Sequence, residues 1–166
     1  MPQNYERRIP VELTEIDYTL YGILYNLSGE GENTGNTNLS AGSDYIDVDT
    51  SVPVVDAKVR LGYTRAKKIP YVLAEMERHS HTQEAQVPTD QPIVFCVADT
   101  KGDCPKAEDV FPVILRPGYV FVLHRDVWHS SSHGLLHDGG YYWMAEVYNG
   151  EPTIWRDVEG GPLQIG

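Results

Sequence analysis

The sequence predicts an all-β protein, a sandwich or closed barrel of short strands. Three observations predict it. Fifteen glycines and eleven prolines cut the chain into short pieces. Those pieces are rich in Val, Ile, Tyr and Phe, which fit a pleated, half-buried surface. Helix signals are scarce, whereas turn signals recur along the whole length. At 166 residues the chain suits a single domain spanning 1–166 and is long enough to bury a core.

In chain order, the most helix-like piece comes first. Thr14 is placed to cap Glu15 to Leu24, with Glu15 and Asp17 in the first turn. Its β-branched and aromatic residues oppose that reading. From Ser28 to Ser43 the chain is almost wholly Gly, Asn, Thr, Ser and Glu. Too little apolar surface offsets the entropy of ordering it, so 28–43 reads as a polar loop. Strands are then expected at Asp56–Thr64, Ala74–His79, Ile93–Ala98, Tyr119–Leu123 and Tyr141–Val147. No internal repeat is visible.

Charge narrows the partners. Against 24 acidic side chains stand 13 basic ones, a net charge of −11. Such a chain offers no basic patch to nucleic acid or an anionic membrane, which leaves a small molecule as the expected partner. With no apolar run of spanning length and no signal-peptide pattern at the N-terminus, a cytoplasmic location is expected. Cys96 lies in an apolar run and reads as a buried small hydrophobe. Cys96 and Cys104 make neither a disulfide framework nor a CxxC zinc site. Exposed sheet edges commonly close by pairing with a second copy, so a homodimer is expected.

Two histidine clusters carry the chemistry. Met76 to Glu84 holds His79, His81 and Glu84, and Arg116 to His133 holds His124, His129 and His133. On a strand, residues two apart share a face, so His79 and His81 point together, and Glu77 with them. Glu84 has the opposite parity, but a turn at Thr82-Gln83 lets a new strand begin at Glu84 and face it inward. His129 completes the set. Imidazole and carboxylate suit Zn, Ni, Fe(II) or Mn, so a divalent metal ion is the expected cofactor, held by His79, His81, Glu84 and His129. His137 reads as an ordinary turn residue.

These residues resemble the cupin superfamily, whose first motif is two histidines one residue apart followed by a glutamate. Its second motif is a glycine with a histidine eleven residues on, as Gly118 and His129 are. Here the gap before Glu84 is slightly short, His124 stands where many cupins have proline, and His133 where asparagine is common. The resemblance implies a cupin-type double-stranded β-helix, or jelly-roll, with few short helices. Within the cupins, the chain is most similar to ureidoglycolate lyases over Val59 to Trp128. The likeness rests on Arg65-Ala66, Ile69-Pro70, Glu77-Arg78-His79, Ala85, Pro88 and the segment His124-Arg-Asp-Val-Trp-His129; Tyr18 to Gly22 adds to it. Those lyases carry glutamine at the place of Glu84 and lack a histidine at the place of His81.

This likeness implies release of urea from ureidoglycolate to leave glyoxylate, or action on a related small hydroxy acid. A base must take the substrate hydroxyl proton and an acid must protonate the departing nitrogen. His124 is the candidate for proton transfer, or alternatively orients a ligand. Glu77, on the histidine face, is a candidate catalytic residue that contacts the substrate, or alternatively accepts a hydrogen bond from a ligand histidine. Arg78 offers a bidentate grip on a carboxylate, or pairs outside the barrel, and Tyr119 and Trp128 are pocket walls or plain core. Cupin pockets host other chemistries as well. An Fe(II) dioxygenase, a sugar isomerase or a non-catalytic acid- or sugar-binding protein would use the same ligand set.

Overall fold

A computed structural model of the chain describes residues 4–34, 36–146 and 153–166. It is almost all strand: β1 Glu6–Arg8, β2 Val11–Glu12, β3 Gly22–Asn26, β4 Thr37–Ala41, β5 Ile46–Thr50, β6 Arg60–Ala66, β7 Tyr71–Leu73, β8 Glu75–Arg78 and β9 Glu84–Pro88. There follow β10 Ile93–Ala98, β11 Val110–Leu115, β12 Tyr119–Leu123, β13 Trp128–His129, β14 His133–Gly134, β15 Gly139–Ala145, β16 Ile154–Asp157 and β17 Leu163–Ile165. Helical structure among the described residues is confined to 3-10 turns at Leu13–Glu15, Tyr18–Leu20 and Ala107–Asp109. The all-β, barrel-like class with few short helices is what the turn-rich sequence predicts. Among the described residues no helix is long and apolar enough to cross a membrane.

Two sheets carry the core. One runs β16-β8-β13-β10-β11-β2, with β14 also on β10, and the other runs β3-β12-β9-β15-β6. Alternation decides what each face meets. Phe95 and Val97 of β10 and Val113 and Leu115 of β11 pack with Leu24, Phe121, Leu123 and Tyr141 from the second sheet. Val94, Cys96 and Ala98 turn the other way and pack with Met76, Trp128, Leu163 and Ile165, beneath the small sheet β1-β17-β7. β10 is therefore buried on both faces, which is why its sequence reads as a continuous apolar run. Burial pushes the Cys96 thiol up to about 12, and both cysteines are free. The outer face of the second sheet is covered in part by Val54, Val55 and Ala57, packed on Ala85, Val120 and Val122.

Several elements differ from expectation. Glu15 to Leu24 is not a helix: 3-10 turns lead directly into β3, and Thr14 caps nothing. Ile16, Tyr18, Tyr21 and Ile23 favour extended backbone, and Gly22 lies so close under Phe121 and the Val122 carbonyl that no side chain would fit. The polar run 28–43 is not all loop, since Thr37–Ala41 pairs with Ile46–Thr50 in a two-stranded ribbon. β6 begins at Arg60 rather than Asp56, and β8 stops at Arg78, short of His79. β15 starts at Gly139, earlier than expected, and Val147 lies outside the described residues.

Candidate metal centre

β8 and β13 are antiparallel neighbours, with Glu77 opposite His129. On β8, Met76 and Arg78 face outward, so Glu77 faces the space between the main sheets, and His79 follows at the same parity. On β13, Trp128 faces outward and His129 inward. The chain turns at 80–83 and re-enters as β9, whose first residue, Glu84, pairs with Leu123 and faces inward with Gln86. Three strands thus aim two carboxylates and two imidazoles at one point. One ligand atom from each of Glu77, His79, Glu84 and His129 lies within 4.8 Å of all the others.

The distances are short. His79 Nε2 lies 3.0 Å from Glu84 Oε2 and 3.8 Å from Glu77 Oε2. His129 Nε2 lies 3.6 Å from Glu84 Oε2 and 3.8 Å from Glu77 Oε1. Bonds of about 2.0–2.1 Å to a common ion place neighbouring ligand atoms roughly 2.9–3.4 Å apart, so small side-chain adjustments suffice. His129 Nδ1 donates to the Val127 carbonyl at 2.9 Å, which directs Nε2 inward. That Nε2 is buried and has no hydrogen-bond partner. A buried nitrogen facing two carboxylates without a partner is what a ligand set needs. Thr153 Oγ1 holds His79 Nδ1 at 3.1 Å, and Gln86 donates to Glu84 while accepting from Ser132.

Protonation balances the charges of the cluster. Burial works against a charged His129. The neighbouring Glu84 carboxylate outweighs that, Glu77 adds to it, and the imidazole rises to about 9. At 3.6 Å this contact is an ion pair rather than a hydrogen bond. Burial likewise raises Glu84, but His129 and His79 carry its carboxyl down to about 2. Glu77 goes the other way: burial holds it above its ordinary value, His129 opposes that and Glu84 adds to it.

Glu77, His79 and Glu84 of the cluster line a pocket of about 220 Å³, and His129 is not part of its lining. Its walls add the hydroxyls of Thr64, Ser131, Tyr141 and Thr153, the Trp143 indole and Glu146. Trp143 Nε1 donates to Thr64 Oγ1 at 3.1 Å, fixing the indole on the wall. Burial raises the Tyr141 phenol, which sits among Thr64, Ser131 and the Ser132 backbone. No Lys or Arg lines the pocket among the described residues.

Not every expected residue is here. His81 contributes no atom to the cluster: β8 ends at Arg78, so strand parity no longer governs it. Its Nε2 donates to the Glu146 carbonyl at 2.9 Å, and its ring stands edge-on to His79, 6.0 Å away. His124 shares the outward parity of Val120 and Val122, and its Nε2 donates to the Thr19 carbonyl. It lies in a groove with Arg78, outside the pocket. The Arg78 Cζ lies over the outward Trp128 ring, 4.5 Å from its centroid, and Trp128 is core. Tyr119 faces inward at the far end of β12, about 13 Å along the strand from Leu123, and lines a different cavity with Glu12 and Arg116. The pocket walls Thr64, Tyr141, Trp143 and Thr153 were not anticipated. Tyr141 and Trp143 share the inward parity of a recognisable strand, a signal that could have found them; Thr64 and Thr153 had none.

No family model matches the chain, and no curated protein matches it.

Proposed function

We propose that this protein is a metal-dependent enzyme acting on a small hydroxy acid, and that its reaction is the release of urea from ureidoglycolate, leaving glyoxylate. The observation that carries the metal-dependent reading is the buried His129 Nε2, without a hydrogen-bond partner, facing Glu84 and Glu77, two carboxylates that line a small hydroxyl-bearing pocket. The reaction comes from the resemblance of Glu77-Arg78-His79 and His124 to His129 to ureidoglycolate lyases. His79, Glu84 and His129 are the ligands, leaving positions open to substrate. A divalent ion held there would act as a Lewis acid toward the substrate's hydroxyl and carboxylate.

The chain supplies the proton chemistry. Glu77, whose carboxyl is held above its ordinary value, takes the hydroxyl proton. Tyr141, whose raised phenol stays protonated, donates to the departing nitrogen. Thr64 and Ser131 position the polar ends of the substrate, and the Trp143 face excludes water. This replaces His124, which lies outside the pocket. The test is glyoxylate release from racemic ureidoglycolate by protein loaded with Ni, Mn or Zn. A rate equal to the uncatalysed one with all three ions rejects the reaction.

One observation favours a second reading, a sugar isomerase. The pocket carries carboxylates and hydroxyls but no cation among its described walls, and residues 147–152 include neither Lys nor Arg. A neutral polyol matches such walls without needing a counter-charge. Interconversion of aldose and ketose by the metal-loaded protein, with ureidoglycolate inert, would decide for it. The proposal includes a homodimer, supported by the edge strand β6 with Leu61 and Tyr63 exposed on its outer face. Light scattering that gives the monomer mass would reject that part.

A further inference from the structure

The outer side of β8 holds a second constellation, separate from the metal centre. A groove of about 400 Å³ there is lined by Arg78, Lys101, His124 and Arg125, with Asp126. The chain has only 13 basic side chains in all, against a net charge of −11. Three of them meet in this one depression. Solvation alone would scatter them.

Arg78 is the centre of the arrangement. Its guanidinium is stacked on the Trp128 ring at 4.5 Å, and Nη1 donates to the Gly102 carbonyl at 3.1 Å. Both contacts fix its plane without neutralising it. Its Nε is buried with no hydrogen-bond partner, and among the described residues no carboxylate pairs with it. A guanidinium held over an indole and paired with no carboxylate is pre-organised for a planar or tetrahedral oxyanion. Lys101 pairs with Asp99 and Arg125 with Asp56, but these pairs are exposed and easily exchanged for a better partner. His124 spends Nε2 on the Thr19 carbonyl, which turns its other ring edge elsewhere.

We infer that this groove is a binding site for a phosphate group, held by Arg78 with Lys101 and Arg125 closing over it. With Lys101 and Arg125 turned from their exposed carboxylates, three cations beside Asp126 leave two positive charges, which a dianion matches better than a monocarboxylate does, and the groove has room for a small phosphate monoester as well as for phosphate itself. The site is distinct from the pocket between the sheets: Glu77 and His79 face inward from the same strand that turns Arg78 outward.

Indole resonances provide the test, because Trp128 lies under Arg78 and Trp143 lines the metal pocket. Full-length, chelator-treated protein labelled with nitrogen-15 is titrated with inorganic phosphate, glycerol phosphate and acetate at constant ionic strength. The expected result is a saturable shift of Trp128 and of the Gly102 and Arg125 amides, with Trp143 unmoved and acetate about tenfold weaker. Tighter binding of glycerol phosphate assigns a monoester, and equal binding assigns free phosphate. Arg78→Gln and, independently, the exposed Lys101→Gln should each weaken binding about tenfold. The Lys101 variant keeps the test valid if loss of Arg78 disturbs Trp128. Shifts that never saturate, shifts confined to Trp143, or an unchanged curve for Lys101→Gln would overturn the inference.

Discussion

Stripping metal from this protein should make its stability fall as pH rises through the neutral range, which is opposite to the usual effect of buried carboxylate pairs. The cause is His129. Its imidazole is at about 9 in the folded chain and near 6.5 when unfolded, so its contribution is complete below pH 6.5 and is lost as pH approaches 9. A rise from near 6.5 to about 9 corresponds to about 3 kcal/mol. The lowered Glu84 carboxyl describes the same ion pair and is counted once; its part is present above about 4.5 and lost as pH falls toward 2. Glu77, raised by burial, adds a decline with rising pH that begins nearer the acid end. Urea unfolding of chelator-treated protein at pH 6, 7.5 and 9 measures this directly. A saturating divalent ion should abolish the slope above pH 6.5, because a ligated imidazole carries no proton in the folded state and the unfolded one carries none either. A flat profile without metal, or an undiminished slope in Glu84→Gln, would refute the ion pair as its origin.

The remaining expectations concern ligands and walls. Glu84→Gln should weaken zinc binding by more than about 100-fold, whereas His81→Ala, whose ring is tied to the Glu146 carbonyl, should leave it nearly unchanged; chelator competition measures both. Glu77→Gln should abolish turnover while keeping zinc within about tenfold, and equal loss of metal in Glu77→Gln and Glu84→Gln would make Glu77 a ligand instead of a base. Thr153→Val removes the group at His79 Nδ1 and should cost about tenfold in metal affinity without altering the urea midpoint of the metal-free protein. Gly62→Ala would drive a methyl into the Trp143 ring, breaking its bond to Thr64 and costing about 1–3 kcal/mol, seen as a lowered urea midpoint.

What the sequence made legible follows from range. β10 and β12 are readable end to end, because their apolar composition is a local property and both are buried. His79, Glu84 and His129 are readable because parity within a strand, plus one turn, fixes their direction. His81 is misread for the same reason: parity was carried three residues beyond the last paired residue of β8, into the turn. His124 is misread because the sequence does not say which face of β12 is inward. Val120 and Val122 are as apolar as Phe121 and Leu123, and only their packing against Val54, Val55 and Ala57 makes theirs the outer face. Thr64 and Trp143 become neighbours through pairing of β6 with β15, about eighty residues apart, which no local pattern encodes.

One strand accounts for both constellations. Along β8 and one residue past its end, the alternation Met76, Glu77, Arg78, His79 sends a carboxylate and an imidazole to the inner side, and a thioether and a guanidinium to the outer side. β13 repeats the division with His129 inward and Trp128 outward, so Glu77 and His129 are each followed or preceded in sequence by a member of the Arg78–Trp128 stack. A slip of one residue between β8 and β13 would exchange the faces, placing Arg78 among the carboxylates and Glu77 against Trp128. Both outcomes are costly: an unpaired carboxylate would lie in the apolar layer with Leu163 and Ile165, and the ligand set would be lost. The outward stack and the inward site therefore specify the same register. The Asp126 amide, donating to the His79 carbonyl at 2.7 Å, pins the end of the strand where the two meet. Disturbing the Arg78 stack should consequently loosen the metal site without touching a ligand.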